Sequence, residues 1–129
     1  MTEMTAVEQA ESHLRAHAEA VTVPGAAECL ACYMARMLQG YGCDTTLRWA
    51  QRFRDLRSPR ATGLEERLGR LGGYCDCELF MNGIQLARHQ LVRDLATDEL
   101  EQPSELPDCA GVRPTSTRWC TNWERLVGW

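Results

Sequence analysis

The chain has no lysine: all fourteen of its basic residues are arginine. That imbalance reads as the codon bias of a GC-rich genome rather than as a selected binding surface. A net charge of -4 with 25% charged residues supplies neither the field of a nucleic-acid-binding protein nor the charge excess of a disordered one. Runs of apolar residues are missing as well. None approaches the roughly 18 that span a bilayer, and the first ten residues are polar and acidic rather than signal-like. A soluble, cytoplasmic protein without a membrane partner is expected. Catalytic signatures are also absent: there is no Walker loop, no G-x-S-x-G and no H-E-x-x-H. Gly69-x-x-Gly72-Gly73 reads as a helix end rather than a phosphate cradle, and Glu65-Glu66 as a solvated pair. No residue presents itself as a catalyst, and the reading leans against an enzyme.

What is present is a modest core and a surplus of thiols. A chain of 129 residues with 44% hydrophobic side chains is the size of one domain. The expected fold is mainly α: a small, metal-stabilised domain of about five helices over residues 1–102, with an irregular, Trp-rich arm over 103–129 packed on it. The arm is read from the spacing of Pro103, Pro107 and Pro114. Val7, Ala10, Leu14 and Val21 recur at helical spacing over 5–20, ended by Pro24-Gly25. Leu30, Met34, Met37 and Leu38 mark a second helix over 26–39, stopped by Gly40 and Gly42. Asp44 is the expected N-cap of a third over 45–56, with Leu47, Trp49, Ala50, Phe53 and Leu56 inward and Arg48, Arg52 and Arg54 outward. Leu64, Leu68 and Leu71 predict a fourth, closed by Gly72-Gly73. Residues 74–81 are expected to be extended, the one short β segment, and a fifth helix is expected over 84–95.

Seven cysteines in a reducing compartment point to metal ligation or redox chemistry before disulfides. Cys29 and Cys32 form C-x2-C, and Cys75 and Cys77 form C-x-C. Thiolates so spaced reach a common ion about 2.3 Å from each sulfur, and two such pairs complete a tetrahedral shell. A structural zinc ion is expected, an iron–sulfur cluster being the lesser alternative. Cys43, at the junction of the second and third helices, competes for the same shell, so five candidates contend for four places. The bland alternative for any one of them is a buried small apolar residue.

The run Gly72-Gly73-Tyr74-Cys75-Asp76-Cys77-Glu78-Leu79, with Cys43-Asp44-Thr45-Thr46-Leu47-Arg48 upstream, resembles a small bacterial family catalogued as domain of unknown function 2695. The resemblance covers roughly residues 29–82. Many members carry a histidine where this chain has Thr45. The resemblance therefore implies Cys43, Cys75 and Cys77 as inherited ligands, with Cys32, and after it Cys29, as the replacement for the fourth. It implies no activity.

His13 and His17 stand at i, i+4 on the first helix, and with Cys109 and Cys120 could make a second Cys2His2 site. A Cys109–Cys120 disulfide and a set of unengaged side chains are the alternatives. His89 is lone and reads as an ordinary residue of the fifth helix. Between Arg48 and Arg70 lie seven arginines, and between Glu78 and Asp108 seven carboxylates, so the molecule is expected to be electrically two-sided. That arginine face, or the arm with Trp119, Trp123 and Trp129, is where a protein partner would dock, and nucleic acid ranks last. Three functions compete: a zinc-stabilised, non-enzymatic interaction or regulatory domain; a thiol redox switch that releases zinc on oxidation; and a metalloenzyme or iron–sulfur accessory protein with Asp44 or Asp76 near the metal.

Overall fold

Residues 5–126 are described by a computed structural model. Among them are five α-helices, α1 (Ala6–Val21), α2 (Leu30–Tyr41), α3 (Arg48–Arg57), α4 (Leu64–Arg70) and the single turn α5 (Asp76–Glu78), which runs into a π-turn at Leu79–Gly83. Four short strands follow: β1 (Ile84–Leu86), β2 (Val92–Arg93), β3 (Leu100–Glu101) and β4 (Trp123–Arg125). They form two antiparallel pairs, β1 with β4 in the register Leu86 to Trp123, and β2 with β3. The molecule is mainly helical, and no described helix is long and apolar enough to cross a membrane.

Helix α1 opens with a capping box. Thr5 Oγ1 accepts from Glu8 N at 3.1 Å, and Glu8 Oε2 accepts from Thr5 N at 3.0 Å. None of its residues is buried, and Val7 and Leu14 keep their apolar stripe in solvent. The core lies between the later helices. Leu30, Tyr33, Met34 and Met37 of α2 meet Trp49, Ala50 and Phe53 of α3, with Leu64 and Leu68 of α4, Leu79 and the β1 pair Ile84 and Leu86 closing it. Tyr33 is its hinge pin. Its ring sits 5.7 Å from that of Phe53 and edge-on to Trp49, while its hydroxyl donates to the Thr22 carbonyl at 2.7 Å.

Helix α3 begins three residues later than expected and is not capped by Asp44, whose Oδ1 instead accepts from Thr46 N and Thr46 Oγ1 in a local turn. The cap arrives from elsewhere in the chain. Asp76, wholly buried, accepts from Trp49 N at 3.0 Å and Ala50 N at 3.1 Å, two first-turn amides that have no partner within the helix. Leu56, expected inward, is about half exposed.

Residues 76–81 are helical rather than extended, while Cys75 keeps an extended backbone, and 84–95 form a strand, a 3-10 turn and a second strand rather than a helix. Two constraints produce this. Ile84 and Leu86 are buried with Gln85 exposed between them, a period of two over a stretch too short to be told from helical spacing. Gly72, at φ +86°, ends α4 by reversing the chain, and a Cβ there would stand 2.8 Å from Asn82 Cβ. Gly73 has equally little room, 3.1 Å from Leu79 Cα. The chain thus folds back on α4 at once and enters α5.

The arginines of α3, expected to face water, fasten the loops. Arg52 donates to the carbonyls of Glu19 and Thr22, holding the end of α1. Arg57 donates to those of Gly25, Glu28, Arg113 and Pro114, joining the loop before α2 to the C-terminal arm. Arg54 pairs with Glu65 at 2.8 Å.

Removing the Asp76 carboxylate leaves two buried amides without an acceptor. Asp76→Ala should lower the unfolding free energy by about 3 kcal/mol, and Asp76→Asn, which keeps one acceptor oxygen, by less. A urea titration showing both variants within about 0.5 kcal/mol of the parent would refute the capping role. Glycine supplies a matched pair of expectations. Gly72→Ala should destabilise by at least about 1 kcal/mol through its positive φ and the Asn82 contact. Gly40→Ala, inside α2 with nothing within 4 Å of the added methyl, should stabilise by about 0.5–1 kcal/mol, read in the same titration.

Candidate metal centres

Two groups of thiols emerge, at opposite ends of α2. The first comprises Cys29, Cys32, Cys109 and Cys120, whose sulfurs all lie within 4.8 Å of one another. Cys29 is the N-cap of α2 and Cys32 lies in its first turn, so the C-x2-C spacing sets both sulfurs at a helix N-terminus, where amides and dipole favour thiolate. Cys109 and Cys120 come from the arm. That segment is fastened by Asn122, buried, whose Nδ2 donates to the Asp108 carbonyl at 2.8 Å and whose Oδ1 accepts from Gln90 Nε2 at 2.9 Å. Val112 N donates to the Ala27 carbonyl at 2.8 Å, and Ala87 N to that of Asn122 at 2.7 Å.

Amide and indole donors surround these sulfurs. Cys29 N and Gly111 N donate to Cys109 Sγ at 3.2 and 3.3 Å, Cys32 N to Cys29 Sγ at 3.3 Å, and Trp123 Nε1 to Cys32 Sγ at 3.2 Å. Cys32 Sγ and Cys120 Sγ are 3.8 Å apart. The edge of a tetrahedron with bonds of about 2.3 Å is roughly 3.8 Å. The protons are unevenly held. The side chain of Cys32, against the effect of burial and helped by the amides of Cys32 and Cys120, draws the Cys29 thiol down to about 5. Cys32 itself is pushed up by sharing that bond with Cys29 and by burial, and Cys120 is pushed up by burial.

The second group is Cys43, Cys75 and Cys77, again within 4.8 Å of one another. Cys43 lies in the α2–α3 loop between Gly42 at φ +76° and Thr45 at φ +72°, and Thr45 N donates to Cys43 Sγ at 3.4 Å. Cys75 stands at the N-cap position of α5, and its sulfur is 3.3 Å from that of Cys77. A backbone bond from Asp76 N to the Thr46 carbonyl, 3.0 Å, ties the two segments directly. Burial, with the neighbouring thiols, pushes Cys75 up to about 12. Cys43 is held below its ordinary value: its burial acts upward, but the amides of Cys77 and Thr45 and the two thiols prevail.

The structure thus brings Cys43, Cys75 and Cys77 together and keeps Cys29 and Cys32 away from them. The single shell drawn from five cysteines is replaced by a four-thiol and a three-thiol group, each of which could hold a metal ion. Cys109 and Cys120 join Cys29 and Cys32 rather than His13 and His17, which stand exposed on α1 and belong to neither group. All seven cysteines are free, with no Cys109–Cys120 disulfide. His89 lies exposed in the 3-10 turn. Trp123, which sequence reasoning left as arm packing, also touches the four-thiol group. Its ring meets Phe80 at 5.2 Å while its N–H reaches Cys32. Trp119 is partly buried against the core, and Trp129 lies outside the described residues.

Residues 30–82 match the profile of a family described as "protein of unknown function (DUF2695)". The matched stretch holds the whole three-thiol group and Cys32, and leaves out Cys29, Cys109 and Cys120. Uncharacterized proteins of Mycobacterium bovis and of two strains of Mycobacterium tuberculosis are 42% identical over 50 residues, 39% of this chain and 50% of theirs. The chain thus spans about half the length of the curated relatives it matches. No solved structure matches it.

Proposed function

We propose that the chain is a zinc-stabilised, non-enzymatic interaction or regulatory domain of a reducing, cytoplasmic compartment, whose structural ion binds Cys29, Cys32, Cys109 and Cys120. The observation that carries this reading is the convergence of four sulfurs from the start of α2 and from an arm about 80 residues further on, ringed by N–H donors. Four thiolates around a divalent ion carry a net charge of -2, which those donors offset. A closed S4 shell leaves no position for substrate, so the ion's work is to join the arm to α2, and its binding free energy is folding free energy. All-sulfur tetrahedral donors suit zinc or iron. The surface for a partner is the exposed acidic stretch 94–105, just before and at the start of the arm, or the half-buried Trp119 within it.

Native mass spectrometry of the purified chain should show zinc, and a strong chelator should lower its melting temperature by well over 10 °C. A metal-free protein whose melting curve ignores the chelator sinks the proposal. Cys120→Ser should lose this ion and expose the arm to proteolysis. Oxidation by dilute peroxide separates the redox-switch reading: retention of zinc and of every thiol disfavours it. Trp123→Phe keeps the ring packing and removes only the donor to Cys32, so zinc stoichiometry should hold while affinity falls about 10- to 100-fold, as for other groups that orient a ligand. Competition with a chromogenic chelator measures this, and unchanged affinity would show that the indole N–H has no part in the site.

A further inference from the structure

We infer that Cys43, Cys75 and Cys77 form a second, separate metal centre, for a thiophilic divalent cation, with an exchangeable fourth position that accepts a soft donor, thiol or imidazole, from outside the chain. The inference does not depend on the four-thiol centre. It rests on three sulfurs from two segments that lie within 4.8 Å of one another and on what surrounds them.

The cluster is preorganised. The Cys43 loop is held from both sides: Arg48 Nη2 donates to the Gly42 carbonyl at 3.0 Å, and the Thr46 carbonyl accepts from Asp76 N. The C-x-C pair is fixed by the entry into α5. Asp76, between the two cysteines, is anchored through its carboxylate to the first turn of α3. None of these constraints needs an ion to explain the approach of Cys43 to the pair, yet together they leave three sulfurs facing one point.

A tetrahedral ion there lacks one protein ligand. Among the described residues no fourth histidine, cysteine or carboxylate joins the group. The acids closest in sequence are otherwise engaged. Asp44 accepts from Thr46 and faces Arg48 at 3.8 Å, and both oxygens of Asp76 are taken by α3. Glu78, next in sequence to Cys77, lies outside the group of three. Cys75 is the buried floor, 5% exposed, and Cys43 and Cys77 are half-buried at the rim, so the fourth direction opens outward. Three protein ligands with an open fourth position distinguish a metal that meets exogenous ligands from one that only staples a fold. Three thiolates on a divalent ion give a net charge of -1, which leaves the position able to take a neutral imidazole or a thiol that loses its proton on binding.

Cobalt(II) in place of zinc makes both centres visible. The wild-type chain should take up two equivalents, Cys43→Ser/Cys77→Ser one and Cys32→Ser/Cys120→Ser one. Imidazole or glutathione, added to the wild-type chain, should shift the cobalt ligand-field bands and leave those of the Cys43→Ser/Cys77→Ser variant unchanged. If Cys32→Ser/Cys120→Ser does not fold, the difference between the wild type and Cys43→Ser/Cys77→Ser still isolates the second centre. A wild type that binds one equivalent, lost only with Cys32 and Cys120, overturns this inference and leaves the structural ion intact. Two equivalents whose spectrum ignores both added donors overturn the open position, and a response that appears only in Glu78→Gln would show that Glu78 fills it. A metal-dependent dimer in sedimentation that persists in excess imidazole or glutathione would place a fixed fourth donor on a second copy and refute the exchangeable position.

Discussion

The carboxylate of Asp76 is the point on which the fold turns. It lies wholly buried and its charge is exposed to a desolvation penalty that pushes its carboxyl above the ordinary range, against which the amides of Trp49 and Ala50 act. A buried carboxylate is tolerable where it meets strong donors, and the free N–H groups of a helix N-terminus are such donors. That single contact fixes the start of α3, seats Trp49 against Tyr33 and aligns α5 beneath it. Because Asp76 is flanked by Cys75 and Cys77, the same contact also sets where two sulfurs point. Its own amide, bonded to Thr46, brings the Cys43 loop alongside. Core packing, helix capping and thiol placement are therefore one arrangement rather than three.

The run from Gly72 to Cys77 makes sense residue by residue in that light. Gly72 turns the chain at a φ that a side chain resists, Gly73 admits Leu79 at close range, Cys75 and Cys77 supply sulfur, and Asp76 caps a helix 27 residues earlier in sequence. The sequence reads the glycines as a helix end, the cysteines as candidate ligands and the acid as a bystander or a metal neighbour. Nothing local marks a long-range cap. The misplaced start of α3 has the same origin: Asp44 has the right chemistry at a plausible position, yet its side chain is satisfied by Thr46 instead. The helix-rich first half was legible because Leu30, Met34, Met37 and Leu64, Leu68 keep a clear 3.6-residue period. The stretch after Gly83 was not, because three residues of β1 acquire their identity only from β4, nearly forty residues on.

The arginines show why a charge run says little about partners. Arg48, Arg52, Arg54 and Arg57 look in sequence like one solvated face, but in the fold Arg48, Arg52 and Arg57 bind backbone carbonyls between α2 and α3, between α1 and α2 and in the C-terminal arm, while Arg54 pairs with Glu65. Guanidinium is suited to that task, since its several donors can hold carbonyls that no regular element satisfies. Where the chain leaves regular structure, before α2, after α2 and in the arm, such ties take the place of sheet and helix hydrogen bonds.

The partition of the cysteines follows from the length of one helix. Cys29 and Cys32 sit at the beginning of α2 and Cys43 just beyond its end. Twelve residues of α-helix separate their backbones by about 18 Å, several times the distance between two ligands of one ion. No shell can therefore contain Cys43 together with the C-x2-C pair, and seven thiols must divide as four and three once the arm returns Cys109 and Cys120 to the first of them. The helix expected between residues 26 and 39 already carries this consequence, since a rigid element of that length between Cys32 and Cys43 limits which thiols can meet. A helix that separates a closed thiol group from an incomplete one also keeps their chemistries independent. If both groups hold a metal as proposed, a ligand change at the three-thiol group would leave the four sulfurs at the arm untouched, so that one centre could maintain the fold while the other responds to its surroundings.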